Sequence, residues 1–374
     1  MFKTSLCALL LAALPLAPQP GPAQPAGAAK IQVALLLDTS NSMDGLIEQT
    51  KSQLWKMVNR LADAQRQNQG IELEIALYEY GNDGLSGKEG YIRLVQPLAT
   101  DLDGLSEKLF ELRTNGGSEY CGWVIKTALA QLPWSDKAED LRVIVIAGNE
   151  PFDQGPESFR ESCAAAVAKG VIINTVFCGD QTEGIKTHWK DGATCSLGKY
   201  MNIDADDRVE HINTPYDTTV LRLNDQLNAT YLGYGQQGVS KKERQMLQDK
   251  NAGIYGSGNA VQRANAKAKA SYSNADWDLL DAVEADSSLL DKIEKDELPA
   301  ELRNKTATEI KLAVQQLKTQ REAIQQQLRR LEIEIDDYIQ EEKKKTATHA
   351  QTLDNVLIEA VVQQAQAKGF AFPK

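Results

Sequence analysis

Three short, mainly apolar runs constrain the fold of this chain more than any other feature. They span residues 31–37, 141–147 and 171–177. Strands that are apolar on both faces must be covered on both faces, which is typical of the central strands of a parallel sheet. The segments between them carry apolar residues at helical spacing, as in Leu46, Thr50, Leu54, Met57, Val58 and Leu61. Residues 31 to about 230 therefore predict a doubly wound α/β fold with a mostly parallel sheet.

One pair of segments departs from this pattern. Apolar and polar residues alternate from Ile71 to Leu77, a turn rich in Gly, Asn and Asp follows at 81–90, and a second apolar stretch occupies 91–95. This order predicts an antiparallel hairpin at one edge of the sheet. Helices are expected near residues 103–112, 118–132, 158–169 and 218–230.

The composition changes after Tyr231, where Gly, Gln and Ser become frequent and the apolar runs stop. Such a change indicates a domain boundary. We expect a mature α/β domain at 30–232, a linker at 233–275 and a helical region at 276–374.

Within the helical region, one series of positions follows alternating spacings of four and three, which indicates a coiled-coil seam. The positions are Ile310, Val314, Leu317, Arg321, Ile324, Leu328, Leu331, Ile335 and Tyr338. A charged bend at 341–345 and a weaker amphipathic stretch at 353–367 complete a predicted antiparallel helical hairpin. The seam either packs within the chain or binds a second copy or another partner, and the sequence leaves both possibilities open.

The first residues have the pattern of a secretory signal peptide. Lys3 precedes an apolar run at 6–16, and a segment rich in Pro, Ala and Gly ends in Ala-Gly-Ala at 26–28. The apolar run is too short to span a bilayer. We therefore predict a signal peptide at 1–28, no transmembrane segment in the mature chain, and a periplasmic or secreted location.

Export affects the interpretation of the cysteines, because disulfides persist outside the cytoplasm. The mature chain has four, at Cys121, Cys163, Cys178 and Cys195. Four cysteines allow three pairings. Cys178 with Cys195 would close a local loop and leave Cys121 with Cys163, but the sequence does not choose. A zinc cluster is disfavoured, because the chain has no C-x-x-C pair and its three histidines are scattered.

The charge of the chain argues against two classes of partner. The formal net charge is -11, which leaves no broad basic face to bind a nucleic-acid backbone or an anionic membrane surface. We expect protein partners instead.

The residues that carry chemistry follow the first apolar run. Asp38, Ser40 and Ser42 occupy alternate positions of a loop that opens a helix. In a doubly wound sheet the loops after the strands line the ligand-binding crevice. Three oxygens directed to one side would suit a hard cation. The competing interpretation is that these residues are helix N-caps.

This Asp38-x-Ser40-x-Ser42 pattern resembles the metal-ion-dependent adhesion site of von Willebrand factor A domains. The resemblance covers about residues 31–230. It implies that the two serines bind Mg²⁺ directly and that the aspartate usually acts through water. A second metal loop of the family carries a threonine, and Ser118 stands in its place here, followed by Glu119. Ser118 is equally suited to be a plain N-cap of the next helix.

The third loop departs from the family. Where relatives have Thr-Asp-Gly-Glu, this chain has Ala-Gly-Asn-Glu at 147–150, so Gly148 replaces the expected aspartate. Asn149 or Glu150 is then the candidate oxygen donor. The predicted set around one Mg²⁺ ion, or Mn²⁺ or Ca²⁺, is Asp38, Ser40, Ser42, Ser118, Glu119 and Glu150.

The resemblance implies a binding protein whose metal recruits an Asp or Glu carboxylate of a partner, and not an enzyme. One alternative is a purely structural metal, with Glu119 in the open position and the helical hairpin as the interaction surface. Another is metal-assisted hydrolysis at a water held by Asp38, Glu119 and Glu150. The sequence has no G-x-S-x-G, H-E-x-x-H or P-loop motif, so we predict no catalytic residues.

Overall fold

The computed structural model describes residues 28–204, 211–346 and 353–372. The predicted signal peptide lies outside the described residues except for its last position. Eight strands are present in these ranges: β1 (Lys30–Asp38), β2 (Gln65–Arg66), β3 (Gln69–Gly70), β4 (Glu72–Tyr80), β5 (Ile92–Ala99), β6 (Leu141–Gly148), β7 (Ile172–Cys178) and β8 (Tyr200–Ile203).

Six of these strands form the central sheet, in the order β5-β4-β1-β6-β7-β8. All neighbours are parallel except β4 and β5. The predicted sheet and its antiparallel edge are therefore confirmed. Strand β1 is central, with Leu35 paired to Leu77 on one side and to Val145 on the other. Because β1, β4 and β6 are parallel, their carboxyl ends meet at one edge.

Twelve α-helices accompany the strands in the described ranges: α1 (Asp44–Ala62), α2 (Leu102–Glu111), α3 (Cys121–Gln131), α4 (Phe159–Ala168), α5 (Gln181–Lys186), α6 (Trp189–Thr194), α7 (Asp217–Asn228), α8 (Gly238–Ile254), α9 (Ser257–Ala266), α10 (Leu279–Ala285), α11 (Ala307–Thr346) and α12 (Leu353–Ala367). Short 3₁₀ helices span Asn41–Met43, Gly87–Glu89 and Leu289–Asp291.

Helices cover both faces of the sheet, because successive residues of a strand point in opposite directions. Val33 and Leu35 pack in one apolar core with residues of α1, α2, α7, α9 and α12. Ala34 and Leu36 pack in the other core with residues of α3, α4 and α6. This two-sided burial explains why the strands are mainly apolar on both faces, and the doubly wound architecture is as predicted.

The segment 233–275, expected as a linker, contains helices α8 and α9. They pack against each other and against α1, α2 and α7. Their contacts are largely polar: the guanidinium of Arg263, 1% exposed, pairs with Asp103 at 2.7 Å and Asp249 at 2.9 Å, and stacks over Trp55. The sequence did not predict these helices, because ion pairs take the place of the apolar residues at helical spacing that mark a buried helix face. The division into domains remains a prediction.

The predicted coiled-coil seam of the long helix α11 packs against other elements of the same chain. Ile324, Leu328 and Ile335 are buried, and the helix packs mainly on α7 and α9. Arg321, the polar residue in the seam, pairs with Asp278 and Asp281 at 2.7 Å each. Two of its guanidinium nitrogens also donate to Thr230. Arg321 therefore joins α11 to the end of α7 and the start of α10.

Helix α12 completes the α/β core, and it does not stand apart as half of a free coiled coil. It packs against α1 and β6, and Val361 and Ala365 are fully buried. The amides of Gln364 and Asn174 on β7 exchange two hydrogen bonds, of 2.7 and 2.9 Å. Within the described ranges, no helix has the length and apolar character needed to cross a membrane.

The cysteine pairing differs from the one considered first. Cys163 on α4 is bonded to Cys195 directly after α6, whereas Cys121 and Cys178 are buried thiols. Two bridges, Cys178–Cys195 and Cys121–Cys163, were therefore wrong. The reason is the fold: α4 and α6 lie together on one face of the sheet, whereas Cys178 belongs to the core of the opposite face.

The Arg321 cluster makes a direct prediction about stability. Asp278 is fully buried, so Arg321→Leu would leave a buried carboxylate without its cation and lower the free energy of unfolding by about 3–5 kcal/mol. Lys318→Leu on the same helix is the control, because its pair with Glu284 is largely exposed and contributes about 0–1 kcal/mol. Urea titrations measure both. Equal stability of the two variants would contradict this account.

The disulfide assignment is also testable. Peptide mapping of unreduced protein is expected to link Cys163 with Cys195 and to find Cys121 and Cys178 as thiols. Replacing Cys163 and Cys195 together by Ala is expected to lower the unfolding free energy by about 2–4 kcal/mol. A bridge that includes Cys121 or Cys178 would refute the assignment.

Candidate metal centre

Three loops meet at the edge where β1 and β6 end: residues 39–43, 112–120 and 149–158. The backbone N–H of Asn115 donates to the carbonyl of Thr39 at 2.9 Å, which joins the first loop to the second. The N–H of Glu119 donates to Gln154 Oε1 at 2.7 Å, which joins the second to the third. The predicted site residues therefore lie on loops that hold one another in place.

Asp38 ends the central strand and is fully buried. Its Oδ1 accepts a hydrogen bond of 2.7 Å from the N–H of Ser40, whereas Oδ2 has no hydrogen-bond partner among the described residues. Burial raises the pKa of Asp38 to about 7, and the charges of Glu119 and Glu150 add to this effect. A buried polar oxygen without a partner is rare and costs free energy.

The two serine hydroxyls lie together. Ser40 Oγ and Ser42 Oγ are 3.1 Å apart, and Ser42 donates to Asn149 Oδ1 at 3.2 Å. The Ser40 hydroxyl also interacts with the carboxyl group of Glu119. Ser40 is buried and Ser42 is exposed, so the pair extends from Asp38 towards solvent.

The helix-capping interpretation does not fit these positions. The N-cap residue of α1 is Met43. Ser40 is the N-cap residue of the short 3₁₀ helix Asn41–Met43, but its side chain makes no capping hydrogen bond. The N-cap of α3 is Tyr120 and not Ser118. The serine oxygens of all three positions are thus free of capping bonds.

The remaining predicted residues are less tightly joined to this cluster. Glu119 is 5% exposed, and burial raises its pKa to about 7, with the charges of Glu150 and Asp83 adding to the effect. Glu150 is half-buried and acts on Asp38 and Glu119 through its charge. Ser118 is half-buried on the same loop as Glu119, and within the described residues its side chain makes no hydrogen bond to the other predicted ligands.

Tyr80 accounts for the glycine at position 148. A Cβ atom on Gly148 would lie 2.6 Å from Tyr80 Oη and 3.0 Å from Asp38 Oδ2. The Tyr80 hydroxyl donates to the carbonyl of Ala147 at 3.0 Å, so it occupies the space in which an aspartate at 148 would begin. Gly148 and Tyr80 therefore fit together, and a side chain at position 148 would require the Tyr80 hydroxyl to move.

Sequence reasoning named Asn149 only as a possible donor and missed Tyr80 and Gln154. The strand pairing of Asp38 with Tyr80 would have pointed to Tyr80, but that register is not visible in one sequence. Nothing in the spacing of Gln154 marks its role.

The donor set fits a hard cation. It consists of oxygens: one buried carboxylate, two hydroxyls and the Asn149 amide, with two more carboxyl groups nearby. In the described ranges no group of three His, Cys, Asp or Glu side chains could hold a metal ion, so hydroxyl and amide oxygens are needed to complete a site. Such ligands suit Mg²⁺ or Ca²⁺ better than softer metals.

Comparison with solved structures gives distant likenesses. Proximal thread matrix protein 1 from the mussel byssus has 12% sequence identity and a TM-score of 0.36, over 48% of this chain and 43% of that one. BatB from Bacteroides thetaiotaomicron has 15% identity and a TM-score of 0.36, over 46% of this chain and 90% of that one. The pilus adhesin SpaC from Lactobacillus rhamnosus GG has 14% identity and a TM-score of 0.36, over 48% of this chain and 28% of that one.

These values describe a similar fold over about half of the chain and carry no argument about its site. The chain spans less than half the length of the mussel protein. No protein-family model matches the sequence, and no curated protein does.

The buried carboxyl groups predict an unusual dependence on pH. Because the pKa of Asp38 is raised to about 7 by burial, the folded state keeps a proton that the unfolded chain loses near pH 4. In EDTA-treated protein the unfolding free energy should therefore fall as pH rises from about 4 to about 7. Saturating Mg²⁺ should remove most of this fall, since a cation favours the ionised carboxyl.

Chemical denaturation at several pH values measures this effect. Asp38→Asn is the control, because it cannot titrate and should reduce the fall to the part that Glu119 contributes, whose pKa is also raised to about 7. Parallel pH profiles for the wild type and this variant in EDTA would contradict the assignment.

Proposed function

We propose that this chain is an exported, metal-dependent protein-binding module and not an enzyme. One divalent cation of the Mg²⁺ type would be held by Ser40 and Ser42, with Asp38 supporting them and Ser118, Glu119 and Glu150 as further candidate ligands. The observation that carries the proposal is the buried Asp38 oxygen without a partner, beside two hydroxyls that cap no helix.

The chemistry of the ligands supports recruitment of a carboxylate. Neutral hydroxyl and amide oxygens leave most of the positive charge of a cation uncompensated, and Mg²⁺ takes six oxygens. Ser42 is exposed and Asn149 half-buried, so this side of the site is open to a partner. An Asp or Glu side chain of another protein would complete the shell.

Glu119 is the basis of the alternative in which the metal is purely structural. It is nearly buried and interacts with Ser40, so it could fill the open position itself. A hydrolytic role for Asp38, Glu119 and Glu150 has no supporting observation beyond their proximity. The seam of α11 faces the body of the chain, which disfavours the hairpin as the interaction surface.

The proposed location is the periplasm or the medium. The Cys163–Cys195 disulfide supports it, because such bonds persist in oxidising compartments. The amino-terminal signal peptide remains a prediction from the sequence.

Calorimetry tests the metal site. Mg²⁺ should bind wild-type protein, and Ser42→Ala and Asp38→Asn should each weaken binding by at least about tenfold. Ser240→Ala is the matched control, because this exposed serine lies on α8 and bonds only to the carbonyl of Gln237. If wild-type protein takes up no Mg²⁺ at millimolar concentration, the proposal fails.

Pull-down from an envelope fraction tests recruitment. Partners should be captured in Mg²⁺, lost in EDTA and absent with Asp38→Asn. Glu119→Gln distinguishes the alternatives at saturating Mg²⁺. If Glu119 fills the open position, this variant should capture more partner than the wild type, whereas capture should not increase if the partner's carboxylate already binds there.

A further inference from the structure

Three aromatic side chains form a row beside the metal loops. The rings of Tyr91 and Tyr120 meet edge to face at 5.9 Å, and Tyr120 lies parallel to Trp123 at 6.1 Å with an interplanar angle of 8°. All three are half-buried. We call Tyr91, Tyr120 and Trp123 the aromatic row.

The aromatic row is attached to the site at two points. Tyr120 follows Glu119 directly in the chain. The carbonyl of Tyr91 accepts a bond of 3.1 Å from the N–H of Gly81, and a Cβ atom on Gly81 would lie 2.8 Å from both Asp38 Oδ1 and Glu119 Cγ. The aromatic row therefore borders the loop that carries Glu119.

Backbone geometry holds the rings in place. Gly90 and Gly155 have left-handed φ angles of 77° and 93°, and a side chain at either would collide with Trp123 or Tyr120. Tyr91 itself is held at φ 56°, a left-handed conformation that is unfavourable for a non-glycine residue. Rings fixed in this way lose little conformational entropy on binding, which favours their use as contact surfaces.

The charges around the aromatic row indicate what it binds. The exposed carboxylates of Asp83, Glu89 and Asp153 lie next to its supporting loops. Most basic residues on or beside these loops are already paired: Arg93 with Glu79 at 2.5 Å, Lys126 with Glu157 at 2.7 Å and Arg160 with Asp191 at 3.7 Å. Lys88 neighbours Glu89, and Arg113 donates to backbone carbonyls. Aromatic faces bordered by carboxylates attract a cationic side chain more strongly than an apolar or an anionic one.

We propose that the aromatic row binds a Lys or Arg side chain of the same partner protein whose carboxylate reaches the metal. The preferred ligand is then a segment with an acidic and a basic residue a few positions apart. This inference rests on the proposed function, since the cation anchors the segment.

Fluorescence anisotropy with labelled synthetic peptides tests the inference. Each peptide is a short Gly and Ser chain with one Asp and, a few residues further along, Arg, Leu or Glu. In Mg²⁺ the Arg peptide should bind about threefold to tenfold more tightly than the Leu peptide, and the Glu peptide should bind most weakly. All three should lose binding in EDTA.

Variants assign the preference to the aromatic row. Tyr120→Phe keeps a ring face and should retain the preference for Arg, whereas Tyr120→Leu and Trp123→Leu should reduce it to about the level of the Leu peptide. Trp134→Leu is the matched control, because Trp134 is also half-buried but its indole donates to the carbonyl of Ala128 at the far end of α3. Circular dichroism and Mg²⁺ calorimetry verify that each variant is folded and binds metal.

The outcomes separate the two proposals. If Mg²⁺ binds but the three peptides bind equally, or the Leu peptide binds best, the cationic preference is refuted and the metal site stands. The same holds if Tyr120→Leu keeps the Arg preference. If Mg²⁺ itself does not bind, the proposed function fails, and this inference fails with it.

Discussion

A buried carboxylate at the end of the central strand is the constraint around which the site edge of the sheet is organised. Asp38 has no exposure to solvent, and removing a charge from water is costly unless other groups compensate. The neighbouring residues supply only part of that compensation. The N–H of Ser40 binds one oxygen, and the nearby Glu119 and Glu150 add negative charge. This imbalance is what a bound cation would remove.

Buried charges also occur where the carboxyl-terminal half of the chain joins the α/β core, and there each charge has partners of opposite sign. Arg263 and Arg321 are buried, and each is paired with two carboxylates. The guanidinium of Arg263 stacks over Trp55, and that of Arg321 stacks over Tyr231. Buried ion pairs of this kind add specificity to an interface more reliably than they add stability. Here they join α9 to α2 and α8, and α11 to the start of α10.

The sequence predicted what depends on local pattern. Mainly apolar runs identified β1, β6 and β7, and the alternation of apolar and polar residues identified the antiparallel edge. Both signals are local, because the faces of a strand that are buried determine which of its successive residues are apolar. It failed where burial depends on distant partners. Helix α9 is held by Asp103 and Trp55, and helix α8 by Asp101 and Ser106, all residues far away in the chain. The bond between Cys163 and Cys195 requires knowing that α4 and α6 share a face.

At the site, the motif located Asp38, Ser40 and Ser42 and the third loop offered Asn149 as a donor, whereas Tyr80 emerged only from the pairing of β1 with β4. Long-range pairing also governs how the molecule is assembled. Asn174 meets Gln364 across 190 positions of sequence, so the part of the sheet at β6 and β7 that α12 covers stays open until this last helix is in place. Contacts of such separation slow folding, because a long loop must close first. During synthesis the apolar strands β6 and β7 would thus wait for the last helix of the chain before this part of their surface is covered.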